Sequence, residues 1–322
     1  MNGMIRTVLG DIAPEDLGPT YAHEHVILDS PLVEDRFAHI LLDDVDAAVA
    51  ELTECAEAGV GAVVDAMPAA GGRDAERLAE ASRRSGVHIV ATTGLHTSKW
   101  YPGRSWANEA DPETLAGLFV ADVEEGIDHY DYMGPVIRRT RHRAGLIKVG
   151  TLQEEFVARD RRVFAAAALT HLRTGVPILT HCEGGRGGMQ QVEAFSDLGV
   201  DPAHVVLSHT DKVADPAYHL DLAATGVTLE FDQVLRHPID EDSTTIRLTV
   251  RLVEEGFGTQ VMLATDGARR SMWTAYGGAP GLAALMTDVP AVLRRSGLDD
   301  GAIDTIMVAN PARFFAFAEV DG

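Results

Sequence analysis

Lysine is scarce in this chain of 322 residues: Lys99, Lys148 and Lys212 are the only three, against 49 acidic residues. The formal charge of −22 excludes the basic footprint that nucleic-acid phosphates demand and disfavours anionic membrane surfaces. An anionic substrate would have to be met by cations held locally against that field, which gives any arginine cluster near a site special interest. Cysteine is scarcer still. Cys55 and Cys182 are too few for a disulfide framework, and both read as free thiols of a reducing compartment. No apolar run approaches the roughly eighteen residues of a membrane helix. At the N-terminus the acidic Asp11, Glu15 and Asp16 arrive before any signal-peptide core can form. Repeats, low-complexity tracts and flexible linkers are also missing, so the expectation is a cytoplasmic protein folded as a single domain over residues 1–322.

What the chain has is 46% hydrophobic residues, ample for one large core, arranged in eight short apolar runs. They fall at about Thr20 to Val26, Gly59 to Ala66, Gly86 to Thr93, Ala144 to Gly150, Gly175 to His181, Ala203 to His209, Gly226 to Phe231 and Thr259 to Asp266. Between them lie helix-period segments such as Asp44 to Ala58, Asp74 to Ser85, Arg159 to Thr174 and Thr244 to Glu255. Gly59, Gly86, Gly145, Gly175 and Gly226 stand where a preceding helix would stop. Eight such alternations predict a parallel (β/α)8 TIM barrel with helices outside, and a doubly wound open sheet is the structural runner-up. One connection is too long for a single helix. The 95–142 insert holds Trp100, Tyr101 and Trp106, a predicted helix from Pro112 to Asp128 and a polar stretch; it reads as a lid or pocket wall, or as surface packing.

The fourth run, Arg143 to Gly150, carries one ionisable residue, Lys148. A buried ammonium is costly unless neutralised or chemically altered. Candidate partners end other runs: His23 and His25 on the first, His181 on the fifth, His209 on the sixth and Asp266 on the eighth. Two histidines two residues apart on a strand share a face and suit one metal ion, with Glu24 pointing the other way. His181 and His209 would hold a second ion. Asp266 would ligate the first and accept a proton from bound water, although a lone aspartate there also reads as a helix N-cap. A neutral Lys148 amine can add carbon dioxide; the resulting carbamate carries a carboxylate's charge and two oxygens for bridging two divalent ions, with a hydroxide as the other bridge. Cys182 is expected in the core, Asp65 behind a ligand histidine or at an N-cap, and the glycine-rich Glu183 to Gly188 loop across the barrel mouth.

These residues carry a resemblance that runs nearly end to end. Leu17-Gly18-Pro19-Thr20 leading into His23-Glu24-His25, Gly72-Arg73-Asp74, Ile147-Lys148-Val149-Gly150, Thr180-His181-Cys182-Glu183, Ser208-His209, Thr265-Asp266 and Asn310-Pro311-Ala312-Arg313 resemble the phosphotriesterase family of the amidohydrolase superfamily. The resemblance implies a TIM barrel with two divalent ions, a carbamylated Lys148, and His23, His25, His181, His209 and Asp266 as the remaining metal ligands. Zinc is the first expectation, and manganese, cobalt and iron also suit mixed histidine and carboxylate ligands.

The family includes phosphotriesterases, acyl-homoserine lactonases, lactonases for phosphorylated sugar lactones and amide hydrolases. The eighth loop, Asp266-Gly267-Ala268-Arg269-Arg270-Ser271-Met272-Trp273-Thr274-Ala275-Tyr276-Gly277-Gly278, is polar and cationic, unlike a pocket for a long acyl chain. It resembles the sugar-lactone-phosphate branch, from which the chain departs at Arg236, where a lysine is expected, and at Trp273, where a tyrosine is. Arg236, Arg269 and Arg270, with Trp273 and Tyr276, are therefore the expected substrate contacts. The expected function is hydrolysis of a lactone or ester, favouring a small anionic substrate such as a phosphorylated sugar lactone, with Asp266 as base and then acid. Alternatives are a phosphotriesterase or acyl-homoserine lactonase, an N-acyl amide hydrolase, and a non-catalytic binding protein on the same scaffold. A homodimer is the default assembly for such a barrel.

Overall fold

Each of the eight apolar runs becomes a strand of one parallel sheet. The computed structural model describes residues 3–320, in which a short antiparallel hairpin, β1 (Ile5–Thr7) and β2 (Gly10–Ile12), precedes the sheet. The eight strands are β3 (Thr20–Glu24), β4 (Ala62–Asp65), β5 (His88–Gly94), β6 (Leu146–Thr151), β7 (Ile178–Cys182), β8 (Val205–Ser208), β9 (Thr228–Phe231) and β10 (Val261–Leu263). They pair in chain order, every pair parallel, as a (β/α)8 TIM barrel requires. Among the described residues, no helix is long and apolar enough to cross a membrane.

The seam between β10 and β3 carries no strand ladder and is closed by other means. The Asp266 N–H donates to the His23 carbonyl at 3.1 Å. Beneath it the buried Glu24 carboxylate accepts from Thr265 N (2.8 Å), Thr265 Oγ1 (2.5 Å) and Gly267 N (3.0 Å). Burial pushes the Glu24 carboxyl up to about 8, against the pull of those hydrogen bonds.

The helices follow the expected punctuation. α1 (Val45–Glu57) and α2 (Ala75–Ser85) start at Asp44 and Asp74, whose carboxylates accept from the first-turn N–H groups. α2 and α4 (Ala158–Thr174) end on left-handed Gly86 and Gly175. In the insert, α3 (Pro112–Glu124) stops short of Asp128. Gly145 ends no helix and has no positive φ; a Cβ there would come within 2.1 Å of the Arg6 carbonyl, so a close approach to the hairpin explains it.

The barrel interior changes character along each strand. Its lower layer is apolar, with Leu146, Leu179, Val206 and Met262 packed against Ile5, Phe314 and Phe315. Two residues further along, the same faces present Lys148, His181 and Ser208. The insert is pinned beside this layer by the buried Arg73, which reaches Asp131 (2.9 Å) and Asp122 (2.6 Å); Tyr132 Oη also donates to Asp122 at 2.6 Å. The Gly72 N–H also donates to Asp131, at 3.0 Å, so the network accounts for Gly72 and Arg73 of the motif, while Asp74 caps α2.

Candidate metal centre and substrate cavity

Strand ends bring the expected ionisable residues together at one mouth of the barrel. His23, His25, His181, His209 and Asp266 line a cavity of about 310 Å³, and Lys148 lies buried at its floor. A wider groove of about 480 Å³, lined by Arg247, Arg251 and Arg295 on the outer helices, stands apart from all of these residues.

Plain alternation does not place His23. Ala22 packs inside the barrel, so the next residue would face outward; a register shift between Tyr21 and Glu24 turns His23 to the cavity as well. His209 and Asp266 adopt left-handed φ values of 68° and 44°, a strain of about 1–2 kcal/mol each that the surroundings must hold. Gly150 pairs with His181 across the ladder because a Cβ there would come within 2.6 Å of the His181 Cβ.

The ligand atoms of His23, His25 and Asp266 lie within 4.8 Å of one another, and so do those of His23, His209 and Asp232; His181 joins neither trio. Instead its ring centroid is 4.5 Å from that of His209. The Lys148 amine is 3.3 Å from His23 Nε2.

Carboxylates stand behind the histidines. Glu230 Oε2 is 3.1 Å from His23 Nδ1, and Glu183 Oε2 is 2.8 Å from His181 Nε2. Asp232 Oδ2 lies 2.5 Å from His209 Nδ1, in contact but off the line a hydrogen bond requires. Asp65 accepts from Val26 N at 2.8 Å and Ile27 N at 3.3 Å, fixing the chain just past His25. Cys182 is core.

Burial favours the neutral form of His23, His181 and His209, the form a metal ligand needs. It lowers His23 and His209 well below the usual value and brings His181 down to about 4. Burial also takes the Lys148 amine down to about 7, against the pull of Glu230, Asp266 and Asp232. Burial, then the neighbouring Asp232, pushes Glu230 well up and Asp211 up to about 7. For Asp266, burial works upward, but the His25 hydrogen bond and the charges of His209 and Arg236 hold it well below the carboxylate range. Glu183 is likewise held low, by His181 first and also by Lys99.

The floor thus gathers three buried or nearly buried carboxylates, Glu230, Asp232 and Asp266, around the imidazoles and one amine. His25 Nδ1 and Glu230 Oε1 are buried without hydrogen-bond partners. A donor set short of positive charge, with nitrogen and oxygen atoms converging, fits divalent cations.

Above the floor the structure separates the predicted substrate contacts. Arg236 and Arg269 line the cavity; Arg270, Trp273 and Tyr276 do not. The Arg236 Nη2 is held by Asp266, at 2.7 Å from Oδ2 and 2.6 Å from the carbonyl, while its buried Nε has no partner. Arg270 turns away to the Leu41 carbonyl (2.6 Å) and the Asp43 carboxylate, with its guanidinium over the Tyr276 ring. Trp273 is fully buried and donates Nε1–H to the Gly267 carbonyl at 2.6 Å, bracing the loop from behind.

Sequence reasoning missed Lys99, Lys212, His96 and Gln233, which line the cavity, and the carboxylates Glu230 and Asp232. The lysines had a signal: with Lys148, every lysine in the chain is at this one site. His96 follows β5 much as the other histidines follow their strands. Its Nδ1 accepts from Thr97 N at 2.7 Å, so a neutral ring carries its proton on Nε2. Within the insert, Lys99 and Trp100 form part of the cavity wall, whereas Trp106 packs against Tyr132.

Comparison with known proteins agrees with this arrangement. The sequence model of the phosphotriesterase family matches residues 3–315. A phospho-furanose lactonase of Mycoplasmopsis synoviae (strain 53) is 33% identical over 329 residues, covering 99% of this chain and 93% of its own. Among solved structures, an amidohydrolase from Mycoplasma synoviae superposes with a TM-score of 0.92 at 32% identity, over 100% of this chain and 94% of its own. A lactonase from Listeria monocytogenes gives a TM-score of 0.90 at 29% identity, over 98% and 100%.

Proposed function

The chain belongs to the phosphotriesterase family, and on that premise we propose that it is a metal-dependent lactone hydrolase whose substrate is a phosphorylated furanose lactone. One observation carries the choice of substrate. A chain of net charge −22 spends Lys99, Lys212, Arg236 and Arg269 on the wall of a single cavity, above a floor suited to metal.

In this reading His23, His25 and Asp266 hold one divalent ion and His181 and His209 a second, zinc being the first candidate. Lys148, as a carbamate, would supply further oxygen ligands: its neutral amine adds to carbon dioxide, an N–C bond forms as one C=O π bond opens to a carboxylate oxygen, and the nitrogen gives up a proton. Such ions, when bound, polarise a carbonyl and lower the pKa of water toward neutrality.

The chain's own groups do the rest. Asp266, kept ionised and oriented by Arg236, takes the proton from the attacking water and returns it to the ring oxygen as that oxygen leaves. His96 offers its Nε2–H to a substrate oxygen. Lys212 and Arg269, exposed at the rim, take the phosphate with charge-assisted hydrogen bonds, and the unpartnered Nε of Arg236 faces the same demand.

The test compares initial hydrolysis rates of a five-carbon furanose lactone with and without a 5-phosphate, using metal-loaded enzyme. Two charge-assisted contacts at about 1.5 kcal/mol each predict a preference on the order of a hundredfold in kcat/KM for the phosphorylated form. Equal rates would remove the phosphate from the proposal and leave the hydrolase.

A further inference from the structure

His181 stands next to the end of β7, and Glu183 begins the turn that follows it. The His181 Nε2 and the Lys99 Nζ meet the same carboxylate oxygen, Glu183 Oε2, each at 2.8 Å. Lys99 comes from the turn Ser98–Trp100 at the head of the insert, 84 residues away in sequence.

A neutral imidazole has one N–H and one lone pair, and an ionised carboxylate only accepts. The contact at Nε2 therefore fixes the ring proton there and leaves the lone pair on Nδ1. As a surface ion pair, Lys99–Glu183 would contribute little: the two side chains are 38% and 40% exposed, and such pairs are worth about 0–1 kcal/mol. Its consequence is orientational.

A second contact chain joins the same turn to the same histidine. The Trp100 ring packs on His96 at 5.1 Å between centroids, and His96 packs on His181 at 4.8 Å. The head of the insert thus reaches His181 both through Glu183 and through His96.

We infer that Glu183 is a positioning residue that sets the tautomer and orientation of His181, and that Lys99 ties the seating of the insert to that orientation. This rests on the reading of His181 as a ligand of the second metal ion. Carboxylates that hold a ligand histidine in this way typically account for about 10–100-fold in metal affinity.

The test uses the full chain labelled with 15N-histidine and stripped of metal, with His181→Asn to assign the ring signals. In the parent protein the His181 proton sits on Nε2. In Glu183→Ala the ring becomes a tautomer mixture, and the second ion binds about 10–100-fold more weakly while the first is unchanged. Glu183→Gln, which keeps an acceptor oxygen, recovers most of both, and unchanged circular dichroism shows that each variant folds. Lys99→Met preserves the tautomer but speeds amide exchange across residues 98–101 and weakens the second ion about twofold. A single Nε2–H tautomer and parent-like affinity in Glu183→Ala would overturn the positioning role; unchanged exchange in Lys99→Met would overturn the link to the insert. If the parent chain binds fewer than two ions, the metal reading fails, and the tautomer measurement still decides the role of Glu183.

Discussion

Arg269 and Arg270 are adjacent, identical in type and equally plausible as anion contacts, yet they end in different places. Arg269 opens onto the cavity, while Arg270 is taken up by the Leu41 carbonyl, Asp43 and the face of Tyr276. The histidines of the floor show no such divergence. A residue near the end of a barrel strand is placed by the backbone of the strand, its bulge or the turn just past it, whereas a loop side chain is placed by whichever partner from another element reaches it first. Floor and rim should therefore fail differently when mutated.

The largest effect belongs to the floor. Lys148→Met removes the group proposed to hold both ions, and a loss of several kcal/mol of charge stabilisation corresponds to a rate drop on the order of a thousandfold. Metal content should fall with it, while the melting temperature holds or rises, because a buried amine is replaced by an apolar chain of similar length. A Lys148→Met enzyme with full metal content and near-normal kcat would break the account of the floor.

Next comes the shell behind it. Glu230→Gln leaves a neutral acceptor at His23 and should weaken metal binding by about 10–100-fold, read by competition with a chelator. Parent-like affinity would mean that Glu230 merely fills space. The rim should then respond in KM. Arg269→Ala or Lys212→Ala raises KM for the phosphorylated lactone by about tenfold each, with kcat nearly kept. Arg270→Ala changes KM by less than about twofold, since its charge is spent on Asp43. The reverse order for Arg269 and Arg270 would show that the loop rearranges around substrate.

A further effect is one of pH. Burial brings the Lys148 amine to about 7, and only the neutral amine adds carbon dioxide, so the neutral fraction grows as pH rises through 7. At a fixed concentration of dissolved carbon dioxide, reactivation of metal-free protein by carbon dioxide and metal should accelerate between pH 6 and 8 and then level off, approaching about tenfold per unit on the acid side. A rate indifferent to pH over that interval would contradict a free amine as the reacting group.

The barrel and its six candidate site residues were legible because both show in local order: eight apolar runs, five of which carry those ionisable residues in or at their ends. What escaped depends on contacts between distant positions. Glu230 meets His23 across 207 residues, and Glu24 closes the barrel by reaching Thr265 across 241. The bulge that turns His23 inward leaves no mark in the order of residues, and Gly145 imitates a helix stop while serving a close backbone approach. Lys99 and Lys212 were countable as rare residues, but their meeting at one cavity follows only from the path of the insert and of the turn after His209.

The most direct measurement is the ratio of kcat/KM for the phosphorylated lactone to that for its unphosphorylated counterpart, in the parent enzyme and in the Lys212→Ala/Arg269→Ala double variant. A metal floor beneath a cationic rim predicts a large ratio in the parent that collapses toward one in the variant, with the rate on the unphosphorylated lactone unchanged. A ratio that survives the double variant, or a fall in both rates together, would contradict the division of the site into a floor for chemistry and a rim for the anion.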